Sequence, residues 1–356
     1  MDEVPVLHHY RVSDRAEVFD FIREVFPAPV SSLELAQWIW KYEANPFTPS
    51  EGPAVNFIRV GSKMVGLSAG FRLKMWMGGI ECFGEGRGAW AIHRDYRKQN
   101  LWRRSNSLRA TDSPILFGWS KLGPNAYKKF KWVGDPIRPL LRILDPGPLI
   151  ASFAGSGRLA ALGAGATAAA RFVSQPLRRT IGSRRPAVVR LDAVDDRVDA
   201  LWERARRPSA AMVVRDRQYL DWRYCQRPDA TYLFYGVERS SELEGLLVAR
   251  FTTYRGMPWG YLVDFMAAEN STEVLTSLIA EATDELRRLG AAAIACFNSD
   301  RTTRRALYRS GFFPLPQRSP VHFIRFIRAE RPDLARFTSL DRWYLTMGDG
   351  DFDMLY

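Results

Sequence analysis

The sequence predicts an α/β (α+β) protein of two similar domains, each a mixed, mostly antiparallel sheet flanked by helices. Three observations carry that expectation. Apolar residues switch between the period of a strand and the period of a helix along most of the chain. Local patterns recur in the same order in both halves. Between the halves, residues 146–189 become Ala/Gly-rich and then basic, as a linker does. A length of 356 residues also suits two domains better than one.

In the first half, residues 1–145, "VPVLHHYRV" reads as an opening strand. "RAEVFDFIREVF" places Val18, Phe19, Ile22 and Phe26 on one helical stripe. "SLELAQWIWKYEANPF" reads as a second helix, with Ser32 as its N-cap candidate and the turn "NPF" as its end. The run from "AVNFIRV" to "GAWAI" reads as three strands, turning at Gly61 and at Gly78-Gly79. A basic turn, "HRDYRKQNLWRR", follows, then a short helix, the strand "PILFGWS" and the helical "NAYKKFKW".

The stretch 146–189 is expected to be an interdomain helix and basic linker. Arg158, Arg171 and four glycines between 155 and 165 argue against a membrane span, while 149–185 is a candidate for peripheral membrane contact. The second half, 190–330, gives helical "DDRVDALWERARR", then "DRQYLDWRYCQRPDATYLFYGVE" as a helix entering a strand. Two strands turn at Arg255-Gly256, and a helix runs from a cap at Ser271 to Gly290. The strand "AAAIACF", the helix "TTRRALYRSGFF" and the strand "VHFIRFI" close the half, and 331–356 is expected to be a tail packing on the domains. "WKYEANP" matches "WRYCQRP", "KMVGLSAGFRL" matches "ELEGLLVARFTTY", and "NAYKKFKWVG" matches "RRALYRSGFF", so an internal duplication is expected.

Composition narrows the chemistry. A net charge of +12 predicts attraction to something anionic, yet the basic residues are scattered, which argues against one long nucleic-acid stripe. Three distant cysteines, Cys82, Cys225 and Cys296, form neither a disulfide framework nor a zinc spacing. Histidines occur only at 8, 9, 93 and 322, so no metal site is expected. The start "MDEVPVLHHY" has no apolar signal core, and a cytoplasmic location is expected. Asp349, Asp351 and Asp353 alternate in the tail without the ligand pattern of a calcium loop, and read as a solvated or domain-interface acidic strip.

This order of elements, met twice, resembles the GCN5-related N-acetyltransferase (GNAT) superfamily in a tandem arrangement. The resemblance implies that the turn after the fourth strand, of the type Arg/Gln-x-x-Gly-x-Gly/Ala, holds the pyrophosphate of acetyl-CoA on backbone N–H groups at a helix start. "AIHRDYRKQNLWRR" is similar to it, which implies a cofactor site at Ile92, His93, Arg97, Lys98, Gln99, Asn100, Leu101 and Trp102, with Asn125 further on. Lys98, Asn100 and Trp102 depart from the pattern, since small residues normally stand there; charge on Arg97, Lys98, Arg103 and Arg104 is an alternative way to hold phosphate. The equivalent turn of the second half, Glu269 to Glu273, carries two carboxylates and no arginine, so cofactor binding is not expected there.

The superfamily also implies a tyrosine that protonates the leaving thiolate and a carboxylate that accepts the amine proton. Tyr127 and Tyr308 match the tyrosine pattern in the two halves. Glu85 is the first candidate base, Glu81 the second, and Asp264 the candidate of the second half. The function expected is an N-acyltransferase using acetyl-CoA or another acyl-CoA, with no metal. Its acceptor would be an amine on a small molecule or glycan, such as a sugar or cell-envelope precursor. Two alternatives are a noncatalytic binding or scaffold protein and an aminoacyl-tRNA-dependent transferase, the latter needing tRNA as partner.

Overall fold

A computed structural model describes residues 4–26, 34–99, 101, 113–121, 131–148, 186–254, 256–314 and 321–350. Strand β1 (Val6–His9) leads through a short 3-10 turn into α1 (Arg15–Val25). This helix buries Val18, Phe21 and Ile22, so Phe21 rather than Phe26 completes the inner stripe. Phe26 ends the helix in extended conformation, which takes its side chain off that face. Helix α2 (Leu35–Trp38) continues into a π-turn, Ile39–Glu43, that buries Trp40, Lys41 and Tyr42. Ser32, the cap candidate, lies outside the described residues, and Glu34 occupies the cap position.

Strands β2 (Val55–Val60), β3 (Lys63–Met77) and β4 (Glu81–Ile92) form an antiparallel meander. Its turns stand where the glycines stand, with Gly61, Gly78 and Gly79 all at positive φ, a conformation only glycine takes without strain. Strand β5 (Ile115–Ser120) then pairs with β4 in parallel. Two short strands that the sequence pattern did not reveal follow, β6 (Val133–Pro136) and β7 (Leu140–Ile143).

The second half opens on β8 (Val188–Leu191), followed by α3 (Arg197–Ala205) and the short β9 (Ala211–Val213). Helix α4 (Arg217–Leu220) runs into a second π-turn, Asp221–Cys225. The matched motifs "WKYE" and "WRYC" therefore adopt the same unusual turn, as duplicated sequence should. Strands β10 (Tyr232–Arg239), β11 (Glu242–Tyr254) and β12 (Met257–Ala267) repeat the meander. Helix α5 (Thr272–Arg288) is capped by Ser271, whose Oγ accepts from the Val274 amide at 3.4 Å. Then come β13 (Ala293–Cys296), α6 (Arg301–Arg309), β14 (Phe313–Pro314) and β15 (His322–Ile327).

The two sheets are ordered alike. One runs β1-β2-β3-β4-β5-β15-β6, the other β8-β10-β11-β12-β13-β7-β14. Each half thus donates its last strand to the sheet of the other half. The compact units follow the sheets, not the halves: Met1–Asp135 with Gln226–Asp229 and His322–Thr338, and Pro136–Cys225 with Ala230–Val321 and Ser339–Tyr356. Among the described residues no helix is long and apolar enough to cross a membrane. Residues 149–185 lie outside them.

Candidate functional site

In the first unit β4 and β5 share two parallel pairs, Glu85 with Leu116 and Gly86 with Phe117. Residues 87–92 of β4 continue along β3 beyond the last of these pairs. The glycines of "ECFGEGRGAWAI" shape this place. Cβ atoms on Gly84, Gly86 and Gly88 would meet Met75, the Phe71 ring and the Tyr42 hydroxyl respectively. The opposite face carries Glu85 and Arg87, with Gly70 of β3 opposite, where a Cβ would overlap the Glu85 carboxylate. Glycine at these positions makes the room in which large neighbours pack.

Glu85 is 1% exposed. Its Oε1 accepts from Arg87 Nη1, and Arg87 Nη2 donates to Ser68 Oγ. Its Oε2 is buried with no hydrogen-bond partner among the described residues. An unpartnered carboxylate oxygen is costly in an interior, which marks the position as one held for something other than stability. Asn56, paired with Ser68 across β2 and β3, has a buried Oδ1 in the same condition. The guanidinium of Arg72, directly across from Glu85 in the register, stacks 4.1 Å above the exposed Phe83 ring. Glu85 was singled out in the sequence but its partner Arg87 was not, although period-two alternation puts both on one face; Ser68 and Asn56 needed the strand register.

The basic turn begins at the end of β4. His93 is buried and caps a 3-10 turn, Arg94–Tyr96, its Nδ1 accepting from the Asp95 amide at 3.4 Å. His93 Nε2 lies 2.9 Å from Glu24 Oε1, and Lys63 Nζ lies 3.2 Å from each of them. Lys63 first, and His93 after it, hold the Glu24 carboxyl below its ordinary range. Ile92 is half-buried, and its carbonyl accepts from Arg97 Nε at 3.5 Å. Arg97, Lys98 and Gln99 are exposed, while Leu101 is fully buried against Ile58 and Val65. The amides of Tyr96, Arg97 and Gln99 donate to carbonyls within the turn, at 3.0, 3.5 and 3.1 Å. These three donors are engaged, so the charged side chains of Arg97 and Lys98 are the groups offered outward. Asn100, Trp102, Asn125 and Tyr127 lie outside the described residues.

The second unit differs at each matching place. Its turn places Glu269 and Asn270 at positive φ, and Arg207 Nη2 donates to Asn270 Oδ1 at 2.7 Å. Asp264 is buried with both oxygens occupied: Oδ1 accepts from Arg215 Nε at 2.8 Å and from the Phe265 amide at 2.9 Å, and Oδ2 from Tyr224 at 2.8 Å. Such a carboxylate is an anchor. Tyr308 is 41% exposed on α6, where Arg304 donates to its hydroxyl at 2.7 Å. Asp349, read as part of a solvated or interface strip, is fully buried against Arg215 at 2.8 Å. Its burial has a physical cause: Arg215, itself 0% exposed, needs carboxylate partners in the interior. Asp351 and Asp353 lie outside the described residues. Among the described residues no cluster of His, Cys, Asp and Glu is arranged to hold a metal ion.

No protein-family model matches the sequence, and no curated protein matches it. Solved structures do. A GCN5-related N-acetyltransferase from Kribbella flavida covers 92% of this chain with 71% of its own, at 14% identity and a TM-score of 0.59. A probable N-acyltransferase from Enterococcus faecalis, described as a conserved protein of unknown function, covers 91% of this chain with 72% of its own, at 10% identity and a TM-score of 0.59. The Saccharomyces cerevisiae N-myristoyltransferase, solved with bound myristoyl-CoA, covers 90% of this chain with 81% of its own, at 14% identity and a TM-score of 0.53. At such identities the shared property is the fold. The chain therefore has the tandem GNAT fold, two mixed, mostly antiparallel sheets flanked by helices.

Proposed function

We propose that the chain is an acyl-CoA-dependent N-acyltransferase whose first GNAT fold holds the thioester and passes the acyl group to an amine. The observation that carries this reading is Glu85, a carboxylate buried in β4 at the last shared pairs of β4 and β5, with Oε2 unpartnered among the described residues. An oxygen in that condition is suited to accept a proton from an incoming ammonium or amine, directly or through one water. The amine nitrogen then bonds to the thioester carbonyl carbon, the C–S bond breaks, and the thiolate leaves and is protonated. Tyr127 is the donor proposed for that last step, by its match to the family pattern.

Two further features support the reading. Beyond Gly86 the edge of β4 is no longer paired with β5, which suits an extended ligand bearing amides, as the arm of coenzyme A does. Arg97 and Lys98, exposed on the turn that follows, suit its phosphates. Acetyl-CoA is the donor we propose, and an amine on a small molecule or glycan, such as a sugar or cell-envelope precursor, the acceptor. The net charge of +12 favours an acceptor that is anionic.

Calorimetric titration with acetyl-CoA tests this, alongside two variants. Arg97→Ala/Lys98→Ala is expected to weaken binding by tenfold or more. Glu85→Gln is expected to bind normally while acyl transfer falls by about 10²–10⁴-fold, the usual worth of a positioned base. If acetyl-CoA fails to bind at millimolar concentration, the reading is wrong. Anionic vesicles and tRNA would then separate a noncatalytic scaffold from a transferase that takes its acyl group from tRNA.

A further inference from the structure

Where two parallel strands part, their inner edges carry backbone N–H and C=O groups that need partners. In the second unit β12 and β13 pair from Trp259–Ala293 to Leu262–Cys296, and β12 then runs on to Ala267. Several groups beyond this point are met by the chain itself. Asn298 forms a bridge with Thr346, the Ser299 amide donates to the Leu345 carbonyl at 3.0 Å, and the Leu345 amide donates back to Ser299 Oγ at 2.7 Å. On the other side, the Tyr344 hydroxyl donates to the Phe265 carbonyl at 2.7 Å. Residues 344–346 thus reach β12 at Phe265 and, on the other side, the residues just after β13.

The segment is held from within. Arg215 Nε donates to Asp264 on β12 and its Nη2 to Asp349 on the segment, each at 2.8 Å. Arg223 donates to the carbonyls of Gly348 and Gly350 at 3.0 and 2.5 Å, and Tyr219 to Gly348 at 3.1 Å. Thr346 and Met347 are 0% exposed. Gly348 is required for the fit, because a Cβ there would overlap the Tyr224 hydroxyl and lie 3.1 Å from Asp264 Oδ2.

The first fold is built otherwise at the matching positions. Tyr42 corresponds to Tyr224 in the repeated motif, and its hydroxyl faces Gly88, where the second fold has the carboxylate of Asp264. Seven residues before the shared tryptophan the second half has Arg215, and the first half has Leu33. At these sequence positions the first half therefore has neither the arginine nor the carboxylate with which the second secures its segment.

We propose that residues Trp343–Gly350 are a built-in ligand of the second GNAT fold, closing its strand fork so that the chain binds one acyl-CoA, in the first fold. The count of one rests on the function proposed above; the closure of the second fork does not. Hydrogen exchange and native mass spectrometry on the full chain test the two parts separately. In the unsubstituted protein the amides of Ser299, Leu345 and Thr346 are expected to be strongly protected, and acetyl-CoA to saturate at one per chain. Gly348→Ala is expected to speed exchange at these amides by tenfold or more, and adding Tyr224→Phe, which removes the obstructing oxygen, to restore protection. Two acetyl-CoA per chain, or exchange of these amides at free-chain rates in the unsubstituted protein, would overturn the proposal. No bound cofactor with protection intact would overturn the function and leave the closed fork standing.

Discussion

Asp349 shows how burial sets the titration of a carboxylate even beside a cation. Arg215 faces Asp264 from β12 and Asp349 from the C-terminal segment, with Thr346 and the hydroxyls of Tyr219, Tyr224 and Tyr344 around them. An interior disfavours the charged form of a carboxyl, so burial favours a proton on Asp349. Burial accordingly pushes the Asp349 carboxyl up to about 6 from an ordinary 3.8, although Arg215 pulls the other way. Between about pH 4 and 6 the folded chain keeps a proton that the unfolded chain has lost, so stability falls as pH rises through that window. Asp349→Asn cannot titrate, so its urea midpoint should decline less between pH 4 and 6 than that of the parent. Parallel slopes for the two proteins would refute the assignment.

At the scale of the element, strand β4 is a run of alternating glycines whose missing side chains admit large neighbours. A Cβ on Gly86 would overlap three atoms of the Phe71 ring. Because ring and backbone are both buried, Gly86→Ala should cost about 1–3 kcal/mol through overpacking. Phe71→Leu in the same chain should recover part of that loss, as urea denaturation would show. The period-two pattern, the glycine turns and the repeat of Trp40 in Trp222 were all legible in sequence, because each is a local consequence of backbone geometry. Glu85 was legible as a candidate on its strand, but its pairing with Arg87 was not drawn from the sequence. Arg215 with Asp349 was not legible, since the partners are 134 residues apart and no periodicity links them. The basic turn was legible as a turn, but not that its amides at Tyr96, Arg97 and Gln99 bond within it.

The exchange of last strands governs the behaviour of the whole molecule. β15 pairs along β5 through six residues, from His322–Ser120 to Ile327–Ile115, and β7 pairs along β13 through four. Neither sheet can be completed by the half of the sequence that supplies most of it. A chain ending at 145 would leave the edge of β5 unpaired, with Phe117 deprived of its contact with Phe323. Exposed edges of this kind seek other strands and aggregate. The halves 1–145 and 186–356, expressed apart, are therefore expected to be insoluble or to lack cooperative unfolding. Expressed together, they should assemble into one particle that unfolds in a single cooperative transition, because each then supplies the strand the other lacks. Independent, cooperative folding of the isolated first half would show that its sheet is stable without β15, and that the exchange only tethers the units and does not build them.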